Sequence, residues 1–96
     1  MPEAVPAAAS VRISLPLALT ALFPGAPGEL LLPAATIAEA LAALDQRFPG
    51  MRDRLCDSTP RIRRHINIFV EGERASLETP LAPGAEILVM TAISGG

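Results

Sequence analysis

Ninety-six residues make one small domain, and with half of them hydrophobic and 19% charged the chain folds and does not stay disordered. Eight arginines and no lysine stand against ten acidic residues, for a net charge of −2, which argues against a nucleic-acid coat and against an anionic membrane surface. The longest run without a charge, residues 13–28, is broken by Pro16, Pro24, Gly25 and Pro27. No segment therefore offers the roughly 20 unbroken apolar residues of a membrane helix.

The first ten residues, MPEAVPAAAS, lack the basic start and apolar centre of a leader peptide and are expected to form a flexible tail. From Val11 the pattern alternates: Val11, Ile13 and Leu15 fall on one face and Arg12 and Ser14 on the other, which predicts a strand over residues 11–17 whose end Pro16 sets at a sheet margin. Residues 23–28 read as a loop from their Pro and Gly content, and residues 29–33 (ELLLP) as a second strand that makes a hairpin with the first. Thr36-Ile37-Ala38-Glu39 fits a capping box, and Ile37, Ala40, Leu41, Leu44 and Phe48 then recur at helical spacing until Pro49-Gly50.

Residues 51–57 add one loose turn, and Ser58-Thr59-Pro60 turns the chain. The clearest strand is residues 65–71, with Ile66, Ile68 and Val70 on one face and Asn67 and Phe69 on the other. After a turn at Glu71-Gly72-Glu73, residues 75–81 read as a short irregular strand. A last strand over residues 86–93 places Ile87, Val89, Thr91 and Ile93 opposite Leu88, Met90 and Ala92. Strand, strand, helix, strand, short strand, strand is an α+β arrangement, a small mixed sheet with one main helix on one face. The expected organisation is a tail over 1–10, a domain over 11–93 and an extended Ser94-Gly95-Gly96 end.

Conventional catalytic constellations are absent from the pattern. The lone Cys56 excludes an internal disulfide, and with a single His65 it cannot build a metal centre unaided, so no metal is expected. As a nucleophile Cys56 lacks an evident base and orienting acid, and a structural thiol is the reading its context favours. Asp53 and Asp57, spaced i, i+4, face water. Arg61, Arg63 and Arg64 form a basic run with Arg52 and Arg54 upstream; a solvated loop face is the commoner meaning of such a run, and steering toward an acidic partner is the other. A reducing, cytoplasmic location is the expectation from the single cysteine and the missing leader.

The chemistry points to the end of the chain. A strand runs almost to the terminus and stops at Ser94-Gly95-Gly96. Three extended residues reach about 10 Å, and bare glycines thread a narrow active site that any Cβ would block. By strand alternation Phe69, Leu88 and Met90 turn away from the helix and form an exposed apolar patch beside this tail, a natural docking surface. A loop, the N-terminal tail or a second copy of the chain covering that patch is the competing expectation.

The helix followed by Pro49-Gly50, the strand Arg64-His65-Ile66-Asn67-Ile68-Phe69-Val70, the Pro83-Gly84 turn and the ending Ala92-Ile93-Ser94-Gly95-Gly96 together resemble the ubiquitin-like sulfur carriers, the group of the molybdopterin-synthase small subunit and the thiamine sulfur carrier. The opening Val11-Arg12-Ile13-Ser14-Leu15-Pro16 is most similar to the carriers that serve cysteine synthesis. Carriers for molybdopterin synthase commonly have two prolines where this chain has Thr91-Ala92.

The resemblance implies a β-grasp fold and a protein that is a cosubstrate and not an enzyme. It binds no cofactor itself. A ubiquitin-activating-like enzyme uses ATP to adenylate the Gly96 carboxylate, and a sulfurtransferase or sulfide source then yields a thiocarboxylate. A client, such as a pyridoxal-phosphate cysteine synthase acting with a metalloprotease, consumes the sulfur. The alternatives are the small subunit of molybdopterin synthase and a ubiquitin-like modifier of other proteins.

Overall fold

A computed structural model describes residues 10–91. In chain order the elements are β1 (Ser10–Ser14), α1 (Leu17–Thr20), β2 (Glu29–Pro33), α2 (Ile37–Arg47), α3 (Met51–Leu55), β3 (Ile66–Val70), β4 (Glu73–Arg74) and β5 (Glu86–Thr91). The strands form one mixed sheet in the order β2-β1-β5-β3-β4. β1 pairs antiparallel with β2 and parallel with β5, and β3 pairs antiparallel with both β5 and β4. The strand nearest the chain end is thus the central one, ladder-bonded on both sides.

Alternation decides which face is buried. Val11, Ile13, Leu32, Ile66, Ile68, Ile87 and Val89 form one core with Ile37, Ala40, Leu41 and Leu44 of α2 and Met51 and Leu55 of α3. Each fully buried Val, Leu, Ile or Met among them contributes about 1.5–3 kcal/mol relative to exposure. The predicted α2 stripe is therefore the packed one, with Phe48 half-buried at its end.

The predicted cap is present: Thr36 Oγ1 accepts from the Glu39 amide at 3.2 Å. Glu39 reaches back one residue further than a capping box requires, accepting from Ala35 N–H at 2.8 Å. The next two free amides of the helix donate to a distant loop, Ile37 to Thr79 O at 3.1 Å and Ala38 to Leu77 O at 2.9 Å.

That loop is where the predicted elements need correction. The short strand is Glu73–Arg74, and residues 75–81 lie outside the sheet because their carbonyls cap α2. The β3–β4 turn is the two residues Glu71 (φ 51°) and Gly72 (φ 86°), the left-handed pair of a type I′ hairpin. At the other end of the chain, β1 begins at Ser10, inside the expected tail, and stops at Ser14, short of the predicted Leu17.

Leu15 still donates to Gly28 O at 2.8 Å, but Pro16 has no N–H to offer, and its carbonyl instead accepts from Leu19 and Thr20 to start α1. Leu19 fills the core while Leu17 is exposed. The loose turn after Pro49 is α3, begun by Gly50 at φ 97° and tied to α2 by Asp45, whose Oδ1 accepts from Gly50 and Arg52 amides at 3.0 and 3.2 Å.

Candidate functional site

The face of the sheet away from the helices carries the predicted patch. Register places Phe69 directly across from Leu88, and Met90 across from Asn67. Leu88 and Met90 are each 45% exposed and Phe69 is half-buried. With Arg12, Glu71 and Glu86 they line a shallow depression of about 480 Å³. No element among the described residues covers it.

Two features of this face escape sequence reasoning. Leu31 of β2, 56% exposed, lies across from Arg12 on the same face and extends the apolar surface past the predicted trio. Three consecutive leucines conceal which one points outward; only the pairing of Leu32 with Val11 settles it. The second is the polar border. Arg12 Nε lies 3.6 Å from Glu29 Oε2, and Glu71 Oε2 accepts from the Glu86 amide at 2.8 Å, which ties the β3–β4 turn to the first residue of β5. The result is an apolar strip over β5 and β3 edged by charges, the composition of a docking surface more than of a reaction centre.

β5 is described as far as Thr91. Thr91 pairs with Ile66, the first residue of β3. Gly96, Gly95 and Ser94 lie outside the described residues. Covalent geometry alone keeps Gly96, five residues on, within about 17 Å of Thr91.

Other candidate residues are brought together without making a catalytic group. Cys56 is buried, its Sγ 3.5 Å from Arg52 O, and burial pushes its thiol up, opposed by the Arg52 guanidinium. His65 is exposed and lines a different depression, with Arg54, Arg63, Leu22 and Phe23.

Asp57 is an organiser. Its Oδ1 accepts from the Thr59 hydroxyl, the Thr59 amide at 3.0 Å and the Arg61 amide at 2.9 Å. The Thr59 hydroxyl, then its amide, hold the carboxyl below the usual aspartate range. Among the described residues no three His, Cys, Asp or Glu side chains converge as a metal site, and no helix is long and apolar enough to cross a membrane.

Comparison with known proteins gives one consistent set of relatives. Residues 22–96 match the ThiS family. Small archaeal modifier protein 1 of Haloferax volcanii is 34% identical over 62 residues, spanning 65% of this chain and 71% of the relative. The crystal structure of SAMP1 from Haloferax volcanii superposes with a TM-score of 0.76 at 27% identity, over 91% of this chain and 99% of that one.

A chain of the Amycolatopsis orientalis BexX/CysO complex gives 0.80 at 26% identity, covering 90% and 99%. Mycobacterium tuberculosis CysO gives 0.79 at 25%, covering 86% and 99%.

Proposed function

This chain belongs to the ThiS family of ubiquitin-like, β-grasp sulfur carriers, and from that premise we propose that its Gly96 carboxylate is the cargo site. The family match runs through Gly96, and this is the observation that carries the reading. A free carboxylate is anionic, resonance-stabilised and a poor electrophile. Attack of a Gly96 oxygen on the α-phosphorus of ATP breaks the bond to the β-phosphate, releases pyrophosphate and leaves an acyl-adenylate. Sulfide then adds to the carbonyl, and AMP leaves with the C–O bond electrons. The product is a thiocarboxylate whose sulfur is nucleophilic at neutral pH and held covalently.

Each catalytic group for these steps belongs to the partners: an adenylating enzyme with its ATP, a sulfurtransferase or sulfide source, and a client. The chain's own residues supply presentation. Phe69, Leu88 and Met90 seat each partner in turn, and β5, fixed by two ladders, holds Thr91, from which the remaining residues run on to Gly96. Similarity to CysO, and to a chain of the BexX/CysO complex, supports a biosynthetic client that takes sulfur from the carrier. Together with the opening over residues 11–16, it favours cysteine synthesis, in which a pyridoxal-phosphate enzyme accepts the sulfur on an aminoacrylate and a metalloprotease frees the product.

Similarity to a small archaeal modifier protein favours one second reading, the joining of Gly96 to lysines of other proteins. Both readings begin with the same adenylate. Intact mass spectrometry of the chain isolated from its own cells separates them. Carrier function is expected to give a species about 16 Da heavier, oxygen replaced by sulfur on Gly96. Lysines of other proteins carrying residues 75–96 in isopeptide linkage after tryptic cleavage at Arg74, without that species, overturn the carrier reading in favour of the modifier.

A further inference from the structure

We propose that residues 47–65 form an electrostatic docking surface for a carboxylate-rich protein surface, presented by the adenylating enzyme; the identity of that partner rests on the functional reading above. The segment holds six arginines and two aspartates, a formal charge of +4, in a chain whose net charge is −2. Arg47, Arg52, Arg54, Arg61 and Arg64 are exposed. Among the described residues the ion pair is Arg12 with Glu29, and none involves this lobe. Among the described residues no carboxylate lies within ion-pair distance of these arginines.

The lobe is a fixed structure. Asp45 holds the start of α3, Asp57 gathers the 57–61 turn, the Arg63 amide donates to Leu55 O at 2.9 Å, and Arg63 Nε donates to Asp53 O at 2.8 Å. It joins the sheet at Ile66, the partner of Thr91, so it stands at the end where β5 terminates. Glu71, Glu73 and Glu86 lie at the opposite end of β3 and β5, where Arg12, in register with Glu86, and Arg74, next to Glu73, offset two of the three charges. A partner whose active-site mouth is acidic therefore favours the end of the molecule from which β5 points over the other. This orients the encounter before apolar contact forms.

The chemistry selects a protein surface over a polyanion. Asp53 and Asp57 are interspersed among the arginines and oppose a continuous phosphate array. Leu22 and Phe23 share a depression of about 670 Å³ with Arg54 and Arg63, a mixed lining that suits side chains. Guanidinium forks match discrete carboxylates.

The test is association of the full chain with the adenylating enzyme of the same organism, followed by biolayer interferometry at low and high salt. The triple variant R54Q/R61Q/R64Q alters only exposed side chains, and its thermal midpoint checks that it folds. The association rate is expected to fall about tenfold and lose most of its salt dependence, with dissociation changed less than about twofold.

Ala82→Glu, which lowers the net charge by one at an exposed turn position away from both surfaces, is expected to change neither rate. An unchanged association rate in the triple variant overturns the proposal, as does an equal loss from Ala82→Glu, which reduces the effect to net charge. So does binding of duplex DNA or phosphatidylserine vesicles that the triple variant loses, and so does a wild-type chain that does not bind the enzyme. A wild-type chain that binds but is not adenylated contradicts the functional reading instead, while the association rates still judge the lobe.

Discussion

Asp57 shows how a single side chain sets local order where the described residues hold little charge pairing. One oxygen receives the Thr59 hydroxyl and two backbone amides, which shapes the turn that returns the chain from α3 to β3. The same donors lower its pKa, the Thr59 hydroxyl most. A carboxyl whose folded pKa lies below its unfolded value contributes stability that is complete above the unfolded pKa of about 4 and is lost as pH falls through the folded one. Asp57→Asn is therefore expected to lower the thermal midpoint at neutral pH and to flatten its decline on the acid side. Parallel acid declines in both proteins contradict this role.

At the scale of elements, the sheet presents its open face because α2 and α3 occupy the other. Met90, 45% exposed on β5, contributes little to folding and much to the apolar strip. Met90→Asp is expected to weaken binding to the adenylating enzyme at least about tenfold while leaving the thermal midpoint close to wild type. Unchanged affinity removes the strip from the docking surface.

This strip was legible in the sequence because strand periodicity is strict: once Ile66 and Ile68 are inside, Phe69 must be out, and the same holds for Leu88 and Met90 against Ile87 and Val89. α2 was legible for a related reason, since its cap and its stripe agree. α1 was not, because four residues, LALT, carry no side-chain cap and Pro16 reads equally as the end of a strand. The role of residues 75–81 was hidden because their carbonyls answer a tertiary demand, the free amides of Ile37 and Ala38, which no local pattern announces. Leu31 was hidden by its neighbours Leu30 and Leu32.

For the whole molecule, topology and charge converge on the end of β5. The strand nearest the chain end occupies the middle of the sheet, where two ladders fix its direction, and the arginine lobe joins the sheet at Ile66, the partner of its last described residue. On the proposed reading the carboxylate end is the part a partner takes, and the core upstream serves to hold it. ATP–pyrophosphate exchange by the adenylating enzyme, with the full chain and with a variant lacking Gly95 and Gly96, reads this most directly. Exchange is expected with the full chain and absent with the shortened one, at equal thermal stability. A shortened chain that sustains exchange at the full rate contradicts the assignment of Gly96 as the cargo site.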